Sequence, residues 1–389
     1  MTTLTYDVVV VGAGIVGAAC AEECTRQGLR VAILDRDVIA GGATATGMGH
    51  IVVMDDSEAQ FALTRYSRQL WQQLRPELPA DVEYHQCGTI WVAADEEEMA
   101  EVRRKAKYYG QRGVTTEVLD PKALEMLEPN LRKGMAGGLL VPEDVVFCPP
   151  CAARFLIERA QAAGAKLHLG TPVSQIGKGR VRLADGTEFS APAIINAAGA
   201  WASALTPGAS VKQRKGHLVL TDHYPGFVRH QLVELAYLKS AHSVSTDSVA
   251  FNVQPRKSGQ IIVGSSRQYG AEHSEVDGGV LDRMLRRAYE YMPKLADLST
   301  VRVWTGFRPA SPDNLPLIGP WPGDPTVFLA AGHEGLGITT SLATGRLVVD
   351  QIAGRKSAIP VEPYWPSRIV SRHAKIPETE HSDATGGRG

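Results

Sequence analysis

The chain has 389 residues, 44% of them apolar and 21% charged, with a formal net charge of −1. That length suits two domains or one large composite of ordinary globular composition. The lack of a basic excess argues against nucleic acid, and the lack of a polybasic block argues against an anionic membrane.

The first residues, MTTLTYD, show no charged region followed by an apolar one, so a secretory signal is not expected. Residues 6–11 form a short β-branched apolar run, the pattern of a strand buried on both faces. The run enters Gly12-Ala13-Gly14-Ile15-Val16-Gly17, and a helical pattern continues to about Gln27. After a break at Gly28, a second buried strand over 29–34 ends at Asp35. Gly12 permits the tight turn, Gly14 lets backbone approach a pyrophosphate, and Gly17 lets helix and strand pack closely. The helix start offers unbonded N–H groups and a positive dipole end. Asp35 can accept hydrogen bonds from a ribose hydroxyl pair. Together these predict dinucleotide binding, and the motif alone does not separate FAD from NAD. A buried glycine-rich turn with no ligand would not require Asp35.

The longest apolar stretch, 8–21, is interrupted by three glycines and is too short to span a bilayer. Cys20, Cys24, Cys87, Cys148 and Cys151 make an odd count in a long chain. That points to a reducing compartment, by default the cytoplasm, and to no disulfide framework. Residues 41–50, GGATATGMGH, carry neither charge nor proline before His50, and such a run lets backbone lie against a planar or phosphate-bearing ligand.

Helices are predicted over 56–74, 95–112 and 119–127, with a strand over 84–93 and a glycine-rich segment over 134–140. Cys148-Pro-Pro-Cys151 could be a redox pair or half a metal site. No second pair accompanies it, and it opens a helical pattern over 152–164 where proline suits the first turn, so the structural reading is preferred and no metal is expected. Strands follow at 166–169, 180–183 and 193–197, the last running into Ala198-Gly199-Ala200-Trp201. Alternating strands at 213–220, 232–237, 249–255 and 260–265 read as antiparallel, the last two joined by a turn at 256–259. Beyond a helix over 280–292, strands at 300–307 and 326–331 precede Gly332-His333-Glu334-Gly335-Leu336-Gly337 and a helix over 338–353. The polar tail, 371–389, is expected to be disordered.

Four apolar strands thus run into small residues, near both ends and in the middle of the chain. The fold class is α/β. A Rossmann-like FAD-binding domain is assembled from 1–52, 145–212 and 300–370, and an inserted α+β substrate domain on a mainly antiparallel sheet is built from 53–144 and 213–299. NAD domains are usually contiguous, so the discontinuity favours FAD.

DVVVVGAGIVGAACA with ILDRD, GGATATGMGHI, INAAGAWA, TGFRPASPDNLPLIG and AAGHEGLGITTSLATG occur here in one order. In these motifs the chain resembles the FAD-dependent amino-acid oxidoreductases, which include D-amino-acid oxidase, glycine oxidase and sarcosine oxidase. Its wording looks closest to flavin subunits of D-hydroxyproline or opine-type dehydrogenases. The resemblance implies that Gly12, Gly14, Ile15, Val16 and Gly17 form the phosphate turn and that Asp35, with Arg36 beside it, meets the adenosine ribose. It also implies that Gly42, Ala43, Thr44, Met48, Gly49 and His50 pass the pyrophosphate and flavin, and that the Val173 backbone meets adenine. Ala198, Gly199 and Trp201 belong to the same site. His333, Glu334, Gly335, Leu336, Gly337, Ile338 and Thr339 would lie under the flavin pyrimidine edge.

Arg308 matches the arginine that grips a substrate carboxylate. Tyr237, with Tyr224 behind it, matches the assisting tyrosine, and His50 stands beside the chemistry. The implied reaction is hydride transfer from Cα of a small amino or cyclic imino acid to flavin N5. The substrate would be D-hydroxyproline- or D-proline-like, or glycine- or sarcosine-like. A dehydrogenase subunit is preferred over an oxygen-using oxidase, with a second subunit as partner and peripheral membrane association left open. Readings of another class are an NAD(P)-dependent oxidoreductase and a non-catalytic flavin scaffold. No cysteine lies beyond Cys151, so FAD is expected to be non-covalent, with attachment at His50 as the lesser alternative.

Overall fold

Val8–Val11, Val31–Leu34 and Ala193–Asn196 bury every residue, as continuous apolar runs do when both faces of a sheet are covered. The structure, a computed structural model, describes residues 4–235 and 247–373, with side chains to 370. In it these strands are the centre of a six-stranded sheet. Its order is Leu317–Trp321, Asp324–Ala331, Ala193–Asn196, Val8–Val11, Val31–Leu34, Lys166–His168. All neighbours are parallel except the first pair. From Val8–Val11 the chain crosses to Val31–Leu34 on one side, and Ala193–Asn196 lies on the other. The crevice at this switch in strand order is where open α/β sheets bind ligands.

Helix Ile15–Arg26 packs against Pro149–Ala162 and Gly337–Ile352. Its tight entry depends on two glycines. Gly12 has φ +112, and a Cβ there would lie 2.4 Å from the Ala197 carbonyl oxygen; a Cβ on Gly17 would lie 1.9 Å from that of Gly12. A four-stranded sheet, Leu4–Thr5, Glu188–Ser190, Arg180–Leu183, Val173–Gly177, covers one side.

The eight-stranded sheet runs Thr300–Ala310, Lys212–Thr221, Ile261–Arg267, Ser248–Pro255, Gln231–Glu234, Thr89–Ala93, Gly137–Val141, Glu117–Leu119. It is antiparallel except between Gln231–Glu234 and Thr89–Ala93. Both faces are covered in register with the pleat. Ile90 and Val92 join a core with helix Gly278–Tyr291, while Trp91 and Ala93 join one with Val53 and Phe61.

Helices begin slightly after their predicted starts where a side chain caps them. Ser57 accepts from Gln60 N ahead of Glu58–Leu74, and Asp95 accepts from Glu98 N ahead of Glu96–Gly110. Several features escape the sequence pattern, among them Gly137–Val141, a strand where only a glycine-rich segment was expected. The small-residue run holds a one-turn helix, Ala43–Thr46; the strand expected over 84–93 is only Thr89–Ala93; and Leu317–Trp321 is a strand. Helix Ser367–His373 enters the stretch expected to be disordered, and the rest of that tail lies outside the described residues. Among the described residues, no helix is long and apolar enough to cross a membrane, and no His, Cys, Asp and Glu side chains cluster as a metal site.

Candidate active site

A cleft of about 410 Å³ follows the carboxyl ends of the central parallel strands. At one end Gly12, Gly14, Ile15 and Val16 form the wall. Gly14 has no side chain to cap the helix, while Thr44 Oγ1 accepts from Ile15 N at 3.0 Å and ties the small-residue loop to the helix start. Asp35, just past its strand, is held by two backbone donors, Ala13 N at 2.6 Å and Asp37 N at 2.8 Å. Thr171 N donates to Asp35 O, which brings Thr171, Pro172 and Val173 onto the same wall. The Arg36 guanidinium stacks 4.0 Å over the Trp201 ring, and both border the cleft beside Ala198 and Gly199.

The other end is walled by Gly42, Ala43, Met48, His50, His333, Glu334, Gly335, Gly337 and Ile338. Gln254 Nε2 donates to Met48 O and Gly49 O, fixing the loop ahead of His50. Burial and the nearby Arg308 guanidinium depress the His50 imidazole to about 4, and its buried Nδ1 has no hydrogen-bond partner. His333 Nε2 lies 3.0 Å from Thr344 Oγ1, and burial depresses this imidazole to about 3. Of the residues expected on the cofactor, Gly17, Gly49 and Thr339 stand behind the wall. Thr339 Oγ1 donates to His50 O. Leu336 faces a second cavity.

That second cavity, about 140 Å³, opens off the first where Ala43, Gly47, Met48, His50, Arg308, Glu334 and Gly335 border both. Arg308 projects from Thr300–Ala310 and donates from Nη1 to Ser266 O at 2.7 Å. Its guanidinium lies across Gly216, where a Cβ would come within 2.2 Å of Nη1. Glu334 adopts φ +51, and its Oε1 accepts from Arg267 Nε at 3.3 Å and forms an ion pair with Arg214 Nη1 at 3.1 Å.

Arg214, Arg267, Gln231 and Asn252 line this cavity and were not singled out from sequence. In the sequence they are polar positions in alternating strands, and only the pairing of those strands shows which face they share. Tyr237 lies outside the described residues. The Tyr224 hydroxyl accepts from Ser299 N, and the residue borders neither cavity. Cys148 stands at the N-cap of Pro149–Ala162 with its Sγ 3.0 Å from that of Cys151, whose thiol is pushed up to about 12 by burial and by Cys148. Neither cysteine borders either of these two cavities.

The cleft is long, lined by small residues, and has an acidic residue at one end and a helix start along it. These features fit FAD. The cradle between Gly14 and Thr44 would be narrowed by any larger side chain, since a Cβ at Gly14 would lie 3.3 Å from Thr44 Oγ1. The second cavity meets the far end of the cleft, away from Asp35, and presents cationic groups there.

Residues 7–351 match the family model described as DAO, FAD dependent oxidoreductase. The chain is 29% identical over 383 residues to the glycine oxidase of Geobacillus kaustophilus, covering 94% of this chain and 98% of that protein. It is 26% identical to the hydrogen cyanide synthase subunit HcnC of Pseudomonas protegens, covering 95% and 98%. Among solved structures, glycine oxidase from Geobacillus kaustophilus superposes with a TM-score of 0.83 at 28% identity, covering 94% of this chain and 99% of that one. L-proline dehydrogenase from P. horikoshii superposes with a TM-score of 0.86 at 24% identity, covering 96% and 99%, a likeness of fold.

Proposed function

The chain belongs to the FAD dependent oxidoreductase family, and from that premise we propose that it oxidises a small amino or cyclic imino acid to the imine, with Arg308 holding the carboxylate. It is an amino-acid oxidoreductase and its cofactor is FAD. The NAD(P) and scaffold readings fall with that assignment. One observation carries the assignment of Arg308: its guanidinium lies at the junction of the two cavities, held against Gly216 and Ser266.

A guanidinium fork suits a carboxylate because two parallel N–H donors fix its orientation as well as its position. Gripped there, the substrate turns its Cα–H toward the cleft, and orientation is the main catalytic contribution of this chain. FAD, when bound along the cleft, would supply the two-electron acceptor for this oxidation. The substrate amine must be neutral first. The arginines around the second cavity lower its pKa by proximity of like charge, and the neutral His50 borders the same cavity. Helix Gly337–Ile352 begins beside the cleft without a side-chain cap, so its positive end is available to negative charge.

Substrates of the D-hydroxyproline, D-proline, sarcosine or glycine kind fit this reading. Work as a subunit of a larger assembly is supported by the similarity to a relative named as a subunit, and non-covalent FAD by the lack of cysteine beyond Cys151. Anaerobic mixing with those four amines should bleach the flavin with at least one, and repetition with oxygen or an artificial dye separates oxidase from dehydrogenase. Arg308→Lys should lower kcat/KM by roughly 10- to 100-fold, as loss of a charge-assisted bidentate contact does. Unchanged kcat/KM in that variant would remove Arg308 from the site.

A further inference from the structure

We propose that Ser266 and His217 are positioning residues for Arg308: the Ser266 hydroxyl takes the backbone N–H that its own carbonyl would otherwise take, and so leaves that carbonyl to the guanidinium. This rests on the reading of Arg308 as the arginine that holds the substrate carboxylate. Lys212–Thr221 and Ile261–Arg267 pair at Val219 with Val263 and Leu220 with Ile262, and Lys215 and Gln268 exchange both backbone bonds further along. Between those points the second strand holds one residue more than the first, a bulge of the kind that re-aims side chains beside active sites. In regular antiparallel pairing continued from Lys215 and Gln268, His217 and Ser266 would be the next pair to exchange backbone bonds, with Ser266 O accepting from His217 N. Instead His217 N donates to Ser266 Oγ at 2.9 Å, and Ser266 O accepts from Arg308 Nη1 at 2.7 Å.

The His217 imidazole fixes this arrangement from the far face of the sheet. Gly216 and Leu218 border the second cavity, as do Ser265 and Arg267, whereas His217 and Ser266 border neither cavity, in step with the alternation along a strand. His217 therefore acts on Arg308 through Ser266 and does not face the substrate. Its hydrogen bonds set its tautomer. Asp277 N donates to His217 Nε2 at 3.0 Å, so the neutral ring carries its proton on Nδ1, which donates to Ser266 Oγ at 3.0 Å. The hydroxyl oxygen thus receives two donors from one residue, and both hold it toward His217. Both residues are buried, and burial, followed by the Lys215 charge, lowers the imidazole pKa in keeping with a neutral ring.

The test uses the holoenzyme. Ser266→Ala removes the hydroxyl and frees His217 N–H for the carbonyl of residue 266, so a ladder bond replaces the one lost. The Tm should stay within about 2 °C. The KM for the amine, and the Kd for propionate read from the flavin spectrum, should rise about tenfold, as loss of a hydrogen bond to a charged group does. A lowered Tm with both constants unchanged would mean packing alone and overturns the proposal. Two further variants separate the two bonds of the imidazole. His217→Asn can offer an amide N–H where Nδ1 stands and should recover most of the propionate affinity that His217→Ala loses. His217→Gln can offer its oxygen only where Nε2 stands and should not recover it. The reverse order would tie His217 to the start of Gly278–Tyr291 alone and overturns the proposal. A crystal structure of Ser266→Ala reads the geometry without activity: His217 N–H should meet the carbonyl of residue 266 and the guanidinium should leave it, and an unmoved guanidinium overturns the proposal. If that displacement is seen while Arg308→Lys binds propionate as wild type does, the carboxylate reading fails and the positioning stands. If Arg308→Lys weakens propionate and Ser266→Ala does not, this inference alone fails.

Discussion

Gly216 is where a missing side chain shapes the site, because the Arg308 guanidinium occupies the space a Cβ would fill. The atom that would be struck is the far end of a flexible side chain, so Gly216→Ala should fold and displace the arginine. We expect its KM for the amine to rise at least tenfold while the Tm moves by less than about 2 °C, an effect within the range of a tolerated surface-like change. Stopped-flow flavin reduction and calorimetry read the two quantities separately, and an unchanged KM would mean that the guanidinium position is not set here. A second expectation concerns His50. Its pKa is lowered to about 4, so the neutral form holds from about pH 4 upward and no titration near 6.5 enters catalysis. The acid limb of kcat/KM should then belong to the substrate amine and move when amines of different basicity are compared. A limb fixed near 6.5 for every substrate would contradict a neutral His50.

At the scale of elements, the turn between Asp324–Ala331 and Gly337–Ile352 couples the site to stability through His333. The imidazole is buried and lowered to about 3, whereas an unfolded chain protonates it near the ordinary 6.5. The unfolded state thus binds more protons between those values. The contribution is fully present above 6.5 and is lost as pH falls toward 3, at about 1.4 kcal/mol per pH unit. The gap in unfolding free energy between wild type and His333→Gln should narrow at that slope between pH 6 and 4.5, measured by denaturant titration. A constant gap would show that the imidazole is not excluded from water. This turn was legible in sequence because an apolar strand running into small residues is a local pattern, as at Val11, Leu34 and Ala197. The same local logic found seven of the ten α-helices among the described residues, missing Ala43–Thr46, Ala202–Leu205 and Ser367–His373, with starts displaced by caps such as Ser57 and Asp95. Leu317–Trp321 was not legible, since proline and glycine interrupt it and its strand character comes from pairing with Asp324–Ala331. Arg214 and Arg267 were missed for a related reason: their charges converge only through the register of three strands distant in the chain.

For the molecule as a whole, the cleft joins segments that the chain order keeps far apart. Its walls come from near Gly12, Asp35, Ala43, Val173, Trp201, Arg308 and His333, so the cleft proposed for FAD is complete only when both ends and the middle of the chain are assembled. A ligand that binds only the folded state stabilises it by mass action, about 2.7 kcal/mol at a free concentration 100-fold above Kd. Removing FAD should therefore lower the Tm by several degrees, and added FAD should restore it in a concentration-dependent way. The shape of the cleft makes a sharper demand. Asp35, Arg36 and Trp201 stand at the end opposite His50 and Arg308, so a ligand with only the flavin half leaves the first group without contacts. FMN should restore less stability than FAD at equal concentration, and Arg36→Ala should narrow the difference between them, as expected of a stack proposed to meet the half FMN lacks. Equal protection by FMN and FAD in the wild type would show that binding free energy resides at the flavin end, and that the β-α-β unit at Gly12 serves packing alone.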